Sequence, residues 1–213
     1  MADIFDEVTE DLKKDQYKEF WNKHKLKIIC FCSIFILIVI GFKSTEYYLE
    51  QKKIEISNNF FEAIQKIENN NLKEGKKILQ TISSGSNYGY SILSLFKLAD
   101  LSFEEKDYIS MEKYYNKIIN YKNINTFYKD YALILKVKKS PNLNNSDKLR
   151  ALKPILNSPN ELQPIVAELE VLMLLSDNQI KNAKSKLSEL INRNDISNSQ
   201  KNRLNVVNEI YFN

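Results

Sequence analysis

Cysteine is almost missing from this 213-residue chain, and glycine, proline and histidine are scarce. There are two cysteines, four glycines, four prolines and one histidine. Both cysteines, Cys30 and Cys32, lie inside one apolar run, so the rest of the chain has no disulfide framework. His24 is the only imidazole. Beyond the run there is neither thiol nor imidazole, which excludes Cys–His and Ser–His catalysis and nitrogen or sulfur metal sites there. The stretch "GSNYG" at 85–89 has neither the GxxxxGK(S/T) nor the GxGxxG spacing. It reads as a turn between helices, not a phosphate loop. The acids Glu104 and Glu105 read as a solvated helix surface. Dense basic blocks are missing as well. The net charge of +4 is thinly spread, with six Lys against seven acids in residues 1–27, which argues against nucleic-acid binding. An enzyme is not expected, nor is a cofactor, a metal or a small-molecule substrate.

What is present favours helices. Leu, Ile, Lys and Glu are abundant, and the two residues that helices tolerate least are rare. Asn is also abundant. It is a poor helix former but a good cap and turn residue, which suits many short helices joined by polar turns. No extended strand pattern is visible.

One run stands apart: "KLKIICFCSIFILIVIGFKSTEYY", Lys25 to Tyr48. Ile28 to Phe42 carry no charge, and Leu26 lengthens the stretch. About 17 helical residues span roughly 25 Å, slightly short of a hydrocarbon core of about 30 Å. Phe20 and Trp21 before it, and Tyr47 and Tyr48 after it, are placed as interfacial aromatics are. Lys25, Lys27 and Lys43 can snorkel. A cleaved signal would have a short basic start and a small-residue cleavage site, and this leader is long and acid-rich. A core helix would show a polar stripe, and Ser33 is alone. The run therefore reads as a permanent anchor. Six lysines before it against three after it predict the N-terminus inside. The expected division is a leader at 1–27, an anchor at 28–42 and an exported domain at 43–213.

The exported part repeats itself. "FKLADLSFEEKDYISMEKYYNKIIN", Phe96 to Asn120, resembles a tetratricopeptide repeat, with Ala99 at the small-residue position of the first helix and a turn at Lys106–Tyr108. Met111 stands where a small residue usually packs between helices. Two helices cross closely only if one side chain at each contact is small. Upstream, Ala63 and Gly75 hold comparable places around a turn at Asn69–Asn71. Downstream, Ala132 and Ala183 do so, with a longer loop at Asn142–Asp147. These six residues are the expected helix-packing positions. The predicted fold is all-α: one membrane helix, then an α-solenoid of about four degenerate hairpins and a closing helix over 197–213. Tyr108, Tyr114, Tyr115, Tyr128 and Tyr131 are expected to fill repeat cores more than to form a binding face, and no protein-binding residue is singled out.

The order of these parts resembles the YfgM-like family of bacterial inner-membrane proteins. The leader carries an acidic start, then Asp11-Leu12-Lys13-Lys14, then Trp21-Asn22-Lys23 before the span, as in the alphaproteobacterial form. The resemblance implies a single-pass inner-membrane protein with a cytoplasmic N-terminus and a tetratricopeptide-like periplasmic domain. It implies a protein-binding scaffold ancillary to the Sec translocon, with translocon subunits and a membrane-tethered periplasmic chaperone as partners. It carries no catalytic residues. A scaffold for another envelope machine, such as cell-wall synthesis or division, fits the sequence equally.

Overall fold

A computed structural model describes residues 2–85 and 87–212, with side chains from Tyr17 onward apart from those of Ile28 and Cys32. The side chains of the Asp11–Lys14 step and of Cys32 thus lie outside the described residues. Helix is the only regular secondary structure among the described residues, and the chain divides into two compact units, 1–55 and 56–213.

The described residues of the first unit are helical and belong to α1 (Ala2–Glu68), which ends in the second unit. Within α1 the apolar run is solvent-facing: Ile29, Phe31 and Ile34 through Ile40 are 46 to 73% exposed. The helix is long and apolar enough there to cross a membrane. The one hydroxyl between Ile28 and Phe42, on Ser33, donates to the Ile29 carbonyl at 2.8 Å. Its polar group is therefore satisfied inside its own helix, as a lipid environment requires. Lys43 pairs with Glu46 at 2.7 Å just past the run.

The second unit is a stack of helical hairpins. It holds the end of α1 and eight further helices: α2 (Leu72–Ser83), α3 (Tyr88–Glu104), α4 (Tyr108–Ile119), α5 (Thr126–Lys139), α6 (Asn145–Leu156), α7 (Gln163–Ser176), α8 (Ile180–Ile191) and α9 (Asn198–Phe212). From α2 onward each helix packs on the next in sequence, which makes a solenoid. The hairpins are α1–α2, α3–α4, α5–α6 and α7–α8, and α9 closes the stack. Asparagine does the work its abundance suggested. Asn87, Asn125 and Asn144 cap α3, α5 and α6 by accepting backbone N–H bonds from Tyr90, Phe127 and Asp147.

Three of the four hairpins turn in one way. Asn70, Lys106 and Asn178 have left-handed backbones, with φ of 62°, 61° and 57°. The next residue in each case, Asn71, Asp107 or Gln179, donates its N–H to the carbonyl five residues back at 2.8 Å. This is the Schellman way of closing a helix, which satisfies orphan carbonyls and reverses the chain at once. The α5–α6 hairpin differs. Pro141 pushes Ser140 into extended backbone, with φ −69° and ψ 114°, and α5 stops there. A longer loop then leads to the Asn144 cap.

The second helices share one register. Three of them bury a residue at the fourth position and others four and seven further on: Gly75, Leu79, Ile82 in α2; Met111, Tyr115, Ile118 in α4; Ala183, Leu187, Leu190 in α8. In α6 Leu152 and Ile155 take the later two places. The fourth position there is Lys148, only half-buried.

Candidate protein-binding surface

The helix-packing positions lie deep in this register. Ala63, Ala99, Met111, Ala132 and Ala183 have no exposed surface, and Gly75 is buried. A Cβ at Gly75 would fall 2.5 Å from Ile67 Cγ1 and 2.9 Å from the Ala63 carbonyl oxygen. Glycine is therefore what lets α2 cross α1 at this distance. Met111 occupies the matching place in α4 because its cluster includes two alanines, Ala99 and Ala132, which leave room for a long flexible side chain.

With the small positions turned inward, the first helices of the first three hairpins meet one another through aromatic rings. Phe60 and Phe96 each stand three residues before the buried alanine of their helix. The Phe60 ring lies 5.6 Å from that of Tyr90, whose hydroxyl donates to Ser57 Oγ at 2.6 Å. The Phe96 ring lies 5.7 Å from that of Tyr131, which stacks on Phe127 at 6.2 Å with 11° between planes. Asp100 receives the Lys139 ammonium and the Tyr115 hydroxyl, and the same ammonium sits 4.8 Å above the Phe103 ring. Burial, and then the nearby Asp100 charge, push the Tyr115 phenol well above its ordinary pKa, so it stays a donor at any physiological pH.

These contacts leave some ring faces and aliphatic side chains of the first helices open. Phe61 is 64% exposed, Leu93 48%, Tyr128 and Ile165 42%. Of the five tyrosines expected to fill cores, Tyr115 is fully buried and Tyr108 and Tyr114 pack partly buried on the same cluster. Tyr128 and Tyr131 are instead about two-fifths exposed on α5. Rigid aromatics with an apolar body and a polar tip are typical anchors at protein interfaces. Sequence reasoning missed these ring contacts. Their signal was the recurrence of Phe three residues before the packing alanine.

The hairpin register also explains the match to a known family. The tetratricopeptide repeat-like domain family matches residues 18–134, from before the apolar run to within α5. The chain belongs to this family. The match covers more than half of the chain, and the hairpins that follow it keep the same second-helix register. No curated protein and no solved structure matches the chain. Tetratricopeptide-like domains are protein-binding scaffolds and are typically not enzymes. Among the described residues, no three His, Cys, Asp or Glu side chains gather as metal ligands would.

Proposed function

We propose that this protein is a membrane-anchored, tetratricopeptide-like scaffold that assists the handling of exported proteins. The observation that carries this reading is one helix, α1, that holds both a fully exposed apolar run and the first packing position of the repeats, Ala63. The family match supports it by taking in the run and the first two hairpins together. Residues 28–42 act as the anchor, 1–27 as a cytoplasmic leader and 43–213 as a periplasmic domain, an orientation supported by the lysine bias. The YfgM-like order of parts nominates the Sec channel and a membrane-tethered chaperone as partners. The open aromatics of the first helices supply contact anchors. A tether raises the effective concentration of membrane-bound partners, so individual contacts are weak and the anchor matters as much as the repeats.

The test is a photo-crosslinker placed at Tyr48 and at Tyr128 in the full chain. Adducts with channel or chaperone subunits are expected, and should diminish when residues 1–42 are replaced by a cleavable signal. Equal crosslinking by the soluble form would remove tethering from the mechanism. Capture of a cell-wall or division protein, with no translocon adduct from either position, would replace this reading with a scaffold for that machine.

A further inference from the structure

The cations of the repeat unit are concentrated on the second helices. Counted from the fourth position, the residues two before, two after and six after it lie on the opposite side of a helix with about 3.6 residues per turn. Across α2, α4, α6 and α8 these twelve positions hold six cations, Lys73, Lys77, Lys113, Lys117, Arg150 and Lys181, and one acid, Glu189. All six cations are exposed. Among the described residues, the five lysines take part in no ion pair, while Arg150 pairs with Asp147 at 3.1 Å. The first helices differ. In α3 and α7 one lysine stands against four acids. α5 is the exception, with four lysines and one acid, and two of the four, Lys136 and Lys139, are held by Asn116 and Asp100.

A second feature shares this face. Ile109, two positions before Met111, is 85% exposed, more than any other large hydrophobic residue among those described. It borders a shallow depression with Glu112, Lys113, Asn116, Lys117 and Asn120, and the Glu112 carboxylate accepts the Ser140 hydroxyl at 2.8 Å.

We infer that the outer face of the second helices docks on an anionic phospholipid surface, with Ile109 entering the headgroup layer among the lysines. The inference rests on the anchored reading for the surface being near. The chemistry favours lipid over a protein partner. Protein interfaces are depleted in lysine and enriched in arginine, whose fork fixes a bidentate geometry. Among the described residues this face has five lysines in no ion pair to one arginine, only shallow depressions, and one protruding aliphatic side chain. Point charges on flexible stems suit a diffuse layer of phosphates, to which each adds attraction that salt screens.

The test uses the full chain reconstituted in nanodiscs of phosphatidylcholine alone or enriched in phosphatidylglycerol. Acylation rates of individual lysines are read by mass spectrometry, with Lys97 and Lys129 on the first helices as internal references. The outer-face lysines should react several-fold more slowly in the anionic discs, and high salt should restore their rates. Lys113→Glu with Lys117→Glu should abolish the protection of Lys77 and Lys181, and Ile109→Ser should weaken it. Equal rates in the two lipids would overturn the inference. So would stronger protection by soluble polyglutamate in neutral discs than by phosphatidylglycerol, since the face would then belong to an acidic polypeptide. Anchoring is read separately, by resistance to alkaline extraction from both lipids. If the chain is extracted, the same comparison with preformed vesicles decides the docking face by itself.

Discussion

The second and third hairpins solve one problem in two ways. In α3–α4 the chain reverses through Lys106 at φ 61°, Asp107 caps α4, and Met111 is buried against Ala99. In α5–α6 a proline ends the first helix, Asn144 caps the second, and the crossing position is the half-buried Lys148. Both second helices nevertheless bury the residues four and seven further on, Tyr115 and Ile118 in one, Leu152 and Ile155 in the other. The stack therefore needs the apolar register of the second helix in every hairpin, but the tight turn and the small crossing residue only where helices approach closely.

The largest blow to this contrast is Ala99→Arg, which overfills a position with no exposed surface and buries a charge. It should cost on the order of 2–5 kcal/mol in circular-dichroism melts of the full chain in mild detergent. An unchanged midpoint would mean that α3 and α4 do not cross at Ala99. Gly75→Ala comes next. In an exposed helix this change would stabilise, but here the new methyl meets a backbone oxygen at 2.9 Å, and a loss of about 1–3 kcal/mol is expected. A gain in denaturant midpoint would show that α1 and α2 can move apart freely.

Lys106→Gly acts in the opposite direction. A lysine held in left-handed backbone is strained, and glycine there should raise stability by about 0.5–1 kcal/mol. Ser140→Gly, at the extended turn of the third hairpin, should give no such gain. Lys148→Ala is expected to stay within about 0.5 kcal/mol of wild type, because the side chain is partly in water and bears no close crossing. A loss as large as that of Gly75→Ala would make the third hairpin an ordinary member of the series.

The smallest expected effect distinguishes the caps by pH. The Asp107 carboxylate accepts the Ser110 N–H at 3.0 Å, and its hydrogen bonds to Ser110 hold its pKa below the ordinary 3.8. A depressed pKa contributes stability above the unfolded value and loses it as pH falls through the folded one. Protection of the Ser110 amide, taken relative to its intrinsic exchange rate at each pH, should therefore fall below about pH 3.8, while that of the Asp147 amide, capped by neutral Asn144, should hold. Parallel behaviour of the two amides would place the acid sensitivity elsewhere.

The sequence by itself determined the helical class, the apolar run and the number of hairpins. The reason is that these are local properties. Helix propensity, an uncharged stretch, and an alanine or glycine at a fixed distance from an asparagine-rich turn are all visible one segment at a time. The sequence also placed the closing helix, whose Ser197 hydroxyl accepts the Gln200 N–H at 3.2 Å. Only the tertiary structure decided how the first helices meet. Phe96 and Tyr131 are 35 positions apart, and nothing local marks them as neighbours. The same holds for Asp100, whose two partners lie 15 and 39 residues away. Tyr115 and Tyr128 are alike in sequence context, yet stacking buries one and leaves the other open, because which face of a helix is covered depends on the neighbour that packs there. The lysines of the second helices looked thinly spread for the same reason. Their alignment on one side appears only when four helices are brought into a common register, a task that falls to the buried residues.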